Sequence, residues 1–300
     1  MQRRIALGLV ASLAAALPAA AQQNFDSVQV RVVPIVKGVA MLVGSGGNLA
    51  VAWGEDAAFL VDDQFAPLTP KILAAISSLT PMPVKFVLNT HWHGDHTGGN
   101  ENLGQAGALI FANDNVRVRM ASEQFIELLK SHVPASPKGA LPVVTFNDAV
   151  TFHLNGDEIN AFHVAPAHTD GDAIVFFRKA NAIHMGDLFF NGQYPFVDLS
   201  SGGSFEGVID AVNHVLPMIN DETKVIPGHG PLASKADLAK YRDVLVVARD
   251  RVRRLIAQKK TVEEIVAAKP LADFDATWGS GFITPEVFLR IVYSSLTATR

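Results

Sequence analysis

The sequence predicts a layered α/β sandwich, and three observations predict it. Short valine-rich runs separated by glycine-bearing turns occupy residues 28–61, the pattern of a strand meander. Strand-like and amphipathic helical stretches alternate through the rest of the chain. The second half repeats the element order of the first without repeating its sequence. Sheets in both halves, each with helices on its outer face, bury all of these apolar surfaces at once.

Taken in order, residues 28–35, 39–43, 48–53 and 57–61 read as strands, and 44–48 as a glycine-rich hairpin turn able to act as a flap. Residues 67–79 have helical spacing, with Pro70 near the start where proline is tolerated. A buried strand, 84–88, leads into a histidine-rich loop, and a short helix follows Gly98 and Gly99. Residues 108–112 read as a strand, 113–132 as a helix, and 134–142, with three prolines and a glycine, as a loop. In the second half 149–154, 158–164, 173–178 and 182–185 read as strands, 205–219 as a helix and 224–226 as a strand. Residues 235–258 form an amphipathic helix. Arg249, Arg251, Arg253 and Arg254 crowd its last turns, where cations favour the helix dipole; a solvated face is expected there rather than a phosphate-binding patch. Helices at 261–268 and 285–296 close the chain.

The amino terminus has its own plan. Arg3 and Arg4 precede the apolar run 5–17, and Ala19, Ala20 and Ala21 precede Gln22. That order is a cleavable secretory signal, and the run is shorter than the roughly 20 apolar residues a membrane span requires. The expectation is cleavage after Ala21, residues 1–21 being the signal and 22–300 one domain ending in a helical extension. The product would be periplasmic or secreted, with no membrane association after cleavage. Removing two arginines and no acid takes the formal charge from −4 to −6, and a mildly acidic body argues against nucleic acid as a partner. The chain has no cysteine, so a metal site must be built from His, Asp and Glu.

The histidine loop carries the chemistry. His91, Trp92, His93, Gly94, Asp95 and His96 pack three imidazoles and a carboxylate into six positions, a density that points to a metal. An extended backbone turns His91 and His93 to the same side, while Asp95 and His96 are free to face a second ion. Three later loops each follow a predicted strand and offer one more group: His168, Asp187 and His229. Each is weak alone; their value lies in recurring at the same end of successive strands.

Together, H-x-H-x-D-H, His168, Gly186-Asp187 and Gly228-His229 resemble the metallo-β-lactamase superfamily over about residues 28–231. The resemblance implies a four-layer αβ/βα sandwich with a metal pair at its edge. Carried over by position, it implies that His91, His93 and His168 hold one zinc and that Asp95, His96 and His229 hold the other, with Asp187 bridging; iron or manganese also suits such donors. Asp62 resembles the family's strand-end aspartate, either a partner that fixes the histidine loop or an ordinary strand cap. His132, His153, His163, His184 and His214 match no motif.

The chemistry so implied is hydrolysis by a hydroxide held between two ions and oriented by Asp95, the expected catalytic residue. The expected substrate is a small molecule with a cyclic amide or ester, β-lactam-like or a lactone. A thioester or phosphodiester hydrolase and a non-catalytic secreted zinc-binding or redox-relay protein are the alternatives. In one subclass of lactamases a cysteine stands where this chain has Asp187, with a lysine three residues later; here that position is Phe190. Trp92, Phe189, Phe190, Tyr194, Phe196 and the loop 134–142 are expected around the pocket.

Overall fold

Residues 24–298 are described in a computed structural model; the signal read at 1–21 lies outside them. The meander is β1 (Arg31–Val36), β2 (Val39–Val43), β3 (Leu49–Trp53) and β4 (Ala58–Val61). After α1 (Thr69–Ser77) come β5 (Val84–Leu88), the short helices α2 (Gly94–Thr97) and α3 (Asn100–Gln105), and β6 (Leu109–Asn113). Helix α4 (Asp114–Met120), the hairpin β7 (Gln124–Ile126) and β8 (Ser131–Val133), and β9 (Val144–Phe146) complete the first half. The second half contains β10 (Ala149–Leu154), β11 (Asp157–His163), β12 (Ala173–Phe177), β13 (Ala182–His184), α5 (Phe205–Val215), β14 (Lys224–Ile226) and α6 (Lys235–Ala257). Helices α7 (Val262–Ala268), α8 (Ala272–Trp278) and α9 (Pro285–Thr297) follow.

A seven-stranded sheet runs β1-β2-β3-β4-β5-β6-β9 and a five-stranded sheet runs β10-β11-β12-β13-β14. Alternation along each strand sorts the side chains into layers. Val39, Met41, Phe59 and Val61 meet Ile159, Ala161, Val175 and Phe177 between the sheets. Their neighbours Ala40, Leu42, Ala58 and Leu60 face the opposite way, onto Leu68, Ile72, Ile76 and Leu103. On the other outer face Ile174, Phe176 and Ile183 pack under Phe205, Val212, Leu238, Tyr241 and Phe288. Helix, sheet, sheet, helix is the expected four-layer sandwich. Both faces of the central strands are covered, which is why they read as continuous apolar runs.

The helix expected over 113–132 is a correction. Asn113 caps α4 by accepting from the Asn115 amide, but the helix stops at Met120. Beyond it the Gln124 amide group donates back to the Arg119 carbonyl and the Ser122 hydroxyl, and the Glu127 amide donates to Ser200 Oγ. The Gln124 side chain thus caps the end of the helix locally, and the Glu127 amide finds its partner in a distant loop rather than in a continued helix. The sequence reading also missed β9 and α8. Three of the four arginines in the run on α6 pair with carboxylates: Arg249 and Arg253 with Glu206 and Arg251 with Asp273. Among the described residues no helix is long and apolar enough to cross a membrane.

Candidate metal centre

The seven residues named from sequence converge at one edge of the sandwich. The loop after β5 carries His91, His93, Asp95 and His96; the loop after β11 carries His168; the turn after β13 carries Asp187; the turn after β14 carries His229. Parallel pairing of β4 with β5 and of β13 with β14 sends their C-terminal loops to the same side. Three trios result: His91, His93 and His168; His91, His96 and Asp187; Asp95, His96 and His229, with ligand atoms within 4.8 Å of one another. Asp187 lies between the outer two. Its Oδ1 is 3.1 Å from His96 Nε2, and its Oδ2 is 3.4 Å from His229 Nε2 and 3.6 Å from His168 Nε2.

Outer hydrogen bonds fix which nitrogen of His91, His93, His96 and His168 faces inward. Asp62 accepts from the Thr90 amide at 2.7 Å, from Thr90 Oγ1 at 2.8 Å and from His96 Nδ1 at 2.8 Å. Because the Thr90 hydroxyl gives its proton to Asp62, its oxygen accepts from His91 Nδ1, 3.1 Å away. His93 Nε2 donates to Asp198 and His168 Nδ1 to the Phe196 carbonyl. The remaining nitrogens, His91 Nε2, His93 Nδ1, His96 Nε2 and His168 Nε2, therefore face the centre. His93 Nδ1 and His168 Nε2 face each other at 2.9 Å, an arrangement that needs a cation or a proton between them. His91 Nε2, His96 Nε2 and Asp187 Oδ1 are buried without a hydrogen-bond partner. Such a donor set fits zinc.

The electrostatics divide the site. Burial depresses His91 well below the ordinary imidazole value and, despite Asp187, His168 to about 4. Burial also opposes charge on His96 and His229, but the carboxylates Asp187 and Asp95 override it, raising His96 well above its ordinary value and His229 to about 9. Burial raises the carboxyls in turn, yet His96 and His229 bring Asp95 down to about 2 and hold Asp187 well below the carboxylate range. Without metal, His96 and His229 are the rings that hold protons, and His91 and His168 are the ones burial keeps neutral.

Asp62 sits at φ 59° and Gln64 at φ 55°, a strained conformation for non-glycine residues. Their side chains explain why it persists. Asp62 holds two histidines' settings, and Gln64 Nε2 donates to the Gly47 carbonyl at 2.6 Å. Of the two readings of Asp62, the partner of the histidine loop is the one observed.

The turn 44–48 is tied down, which corrects the expected flap. The Gly47 amide donates to the Asp95 carbonyl, the Asn48 amide to the Gly228 carbonyl, and Asn48 Nδ2 to the Pro227 and Gly230 carbonyls. A Cβ at Gly47 would lie 2.1 Å from His96 Cε1, and one at Gly228 would lie 2.1 Å from Asp187 Oδ1, so both positions require glycine. Sequence reasoning missed this belt and the residues behind it. His184, which matched no motif, is buried with Nε2 donating to the Asn48 carbonyl and Nδ1 accepting from the Gly186 amide. Asp198 was also missed; the only signal was a local Asp-x-x-Ser cap, its side chain accepting from the Ser201 amide.

All five aromatics expected around a pocket are buried. Phe190 stacks on His229, with ring centroids 5.0 Å apart, and Phe196 stacks on His93 at 5.7 Å. Trp92 also lies against His93, with centroids 4.8 Å apart, and donates to Ser201 Oγ, whereas Phe189 packs on Tyr241 and Tyr194 on Phe288. The loop 134–142 packs on α3, its Ala140 carbonyl accepting from Asn100.

The sequence model of the metallo-beta-lactamase superfamily matches residues 43–243, which contain every residue of this centre. The chain belongs to the metallo-beta-lactamase superfamily. Among relatives of this superfamily chain, a hydroxyacylglutathione hydrolase of Pelagibacter ubique is 27% identical over 150 residues, 49% of this chain and 52% of the relative. An atrochrysone carboxyl ACP thioesterase of Aspergillus fumigatus is 26% identical over 235 residues, 76% of this chain and 48% of the relative. The chain spans about half the length of the curated relatives it matches. Among solved structures, a metallo-beta-lactamase from Pontibacter korlensis matches with TM-score 0.60 and 20% identity over 72% of this chain and 99% of its own. A stereoselective inverting sec-alkylsulfatase from Pseudomonas sp. matches with TM-score 0.66 and 17% identity over 89% of this chain and 50% of its own. At such identities these structures speak for the fold alone.

Proposed function

We propose that this superfamily member is an exported metal-dependent hydrolase that opens a cyclic amide or ester, a lactone or β-lactam-like ring, at a pair of zinc ions. The observation that supports the reading is the inward-facing donor set: ring nitrogens of His91, His93, His96 and His168 gathered around Asp187, with no hydrogen-bond partner for three of the buried atoms. His91, His93 and His168 would hold one ion; Asp95, His96 and His229 would hold the other, with Asp187 shared. Zinc supplies Lewis acidity there and a water whose pKa falls from 15.7 to roughly 7 in the best cases.

The chain's own contribution is positioning. Asp95 is about a quarter exposed and kept ionised by His96 and His229, so it is the group that accepts a hydrogen bond from the attacking water and orients it. Asp62, Asp198 and the Phe196 carbonyl hold the imidazoles so that none needs to reorganise during reaction. No serine or cysteine nucleophile is needed, in keeping with a chain without cysteine. A second reading, thioester hydrolysis, draws support from the relatives whose names specify hydroxyacylglutathione and acyl carrier protein thioesters.

The test is metal counting combined with a hydrolysis screen over lactam, lactone, thioester and phosphodiester substrates. Two ions per chain and ring opening abolished by a chelator are expected. Two ions with no turnover of any class would replace the enzyme by a zinc-binding protein. For export, sequencing the amino terminus of the exported protein should return Gln22 first; Met1 retained would remove that part.

A further inference from the structure

The loops that carry or back the seven ligands, residues 44–48, 91–97, 165–172, 187–194, 196–203 and 227–232, contain no lysine or arginine. Among the described residues the ion pairs of the seven ligands are all with one another or with Asp62 and Asp198. A substrate with a carboxylate or phosphate remote from the reacting bond would find no cation on these loops to pair with. These loops themselves offer only uncharged or acidic contacts, while Lys130 and Arg290 line a neighbouring cavity with Phe196 and Asp198.

One segment beyond the superfamily match, which ends at 243, packs against the loop that backs His229. In that loop the Phe190 ring stacks on His229 and the Asn191 amide donates to the His229 carbonyl at 2.8 Å. Two residues on, Gln193 contacts Gly281 so closely that a Cβ there would lie 2.3 Å from Gln193 Oε1. The Tyr194 amide donates to the Trp278 carbonyl at 2.9 Å, and the Tyr194 hydroxyl donates to Asp275 at 2.8 Å. Trp278 and Ile283 are buried at either end, while Phe282 between them is 70% exposed, more than any other large apolar side chain described. Residues 278–283 are also uncharged.

We propose that residues 278–283 form a specificity wall beside the metal centre and that Phe282 on it packs against an uncharged, apolar part of the substrate. The inference rests on the hydrolase reading and narrows it to substrates carrying a neutral acyl or alkyl group. Among the described residues the rings packed on the ligand histidines are Trp92, Phe190, Phe196 and one another, not Phe282, so loss of the Phe282 ring should leave the centre intact.

Three hydroxamic acids serve as probes, their binding to the zinc-loaded protein measured by calorimetry: acetohydroxamic, octanohydroxamic, and the eight-carbon acid bearing a terminal carboxylate. Octanohydroxamic acid should bind at least about tenfold tighter than the acetyl compound, since each buried methylene adds about fourfold when fully covered. The terminal carboxylate should cancel that gain. Phe282→Ala should cut the gain about fivefold with zinc content and Tm unchanged. Equal affinity for the two neutral probes, no binding by any probe, or a Phe282→Ala variant indistinguishable from the parent would each overturn the wall. Failure of the hydrolase reading appears separately: chain-length-dependent binding that Phe282→Ala weakens, with no turnover in the substrate screen, leaves the wall standing and removes the enzyme.

Discussion

Asp198 Oδ2 lies 3.1 Å from His93 Nε2, and that contact turns the other ring nitrogen toward His168. The carboxylate is itself held by Ser201 Oγ at 2.5 Å and by Ser200 Oγ, and His93 brings it below the carboxylate range against the opposing effect of burial. Replacing Asp198 by Asn keeps the shape but weakens the acceptor. Zinc affinity at the His91, His93 and His168 trio should fall about tenfold or more, measured by competition with a chromophoric chelator. Unchanged affinity would show that packing alone orients the ring.

Asp95→Asn should lower turnover by about a hundredfold or more while moving Tm little, because the side chain stands at the rim and supports no core. Steady-state kinetics beside thermal melting checks this. An unchanged rate excludes Asp95 as the orienting group.

Metal loading should release protons from His96 and His229 and not from His91 or His168. At pH 7 His229, at about 9, and His96, raised by Asp187 and Asp95 against burial, are protonated, whereas His168, at about 4, and His91 are neutral. Affinity at the Asp95, His96 and His229 trio should therefore climb as pH rises toward about 9, while His91 and His168 give up no proton over pH 6 to 8. Calorimetry in buffers of different ionisation enthalpy should find about two protons released per chain on filling the second position. No release would contradict the charge assignment.

Burial raises Asp172 to about 7, although Thr169 donates to it through both its amide and its hydroxyl. Its folded value exceeds its unfolded one, so the folded state binds the extra proton. Stability from this group is complete below about pH 4 and is lost as pH rises to about 7, by an amount on the order of a few kcal/mol. Asp172→Asn should flatten the denaturation profile across that window; an identical profile would rule the group out.

Gly47→Ala puts a methyl group into the His96 ring. A stability loss of about 1–3 kcal/mol is expected, together with loss of one zinc equivalent, read by denaturation and metal counting.

Much of this protein was legible in its sequence because the relevant signals are local. Strands such as Val39–Val43 and Ala58–Val61 announce themselves by unbroken apolar runs bounded by turns, and all seven residues of the centre follow strand ends, those after β5, β13 and β14 being delivered to one edge by parallel pairing. The length of α4 was not legible: the residues that end it, around Gln124 and Glu127, find their partners partly in the loop at Ser200. Nor was Asp198, whose bond to His93 spans 105 residues.

The sequence by itself determined the layer order, the donor types and the strand ends at which they stand, since each follows from side-chain periodicity and from the absence of cysteine. Only the tertiary structure decided which nitrogen of His91, His93, His96 and His168 faces the centre, that the turn 44–48 is strapped down, and that Trp278 and Gly281 return beside Tyr194 and Gln193. Those outcomes depend on hydrogen bonds and close approaches between segments far apart in the chain, and no local pattern encodes a partner's position.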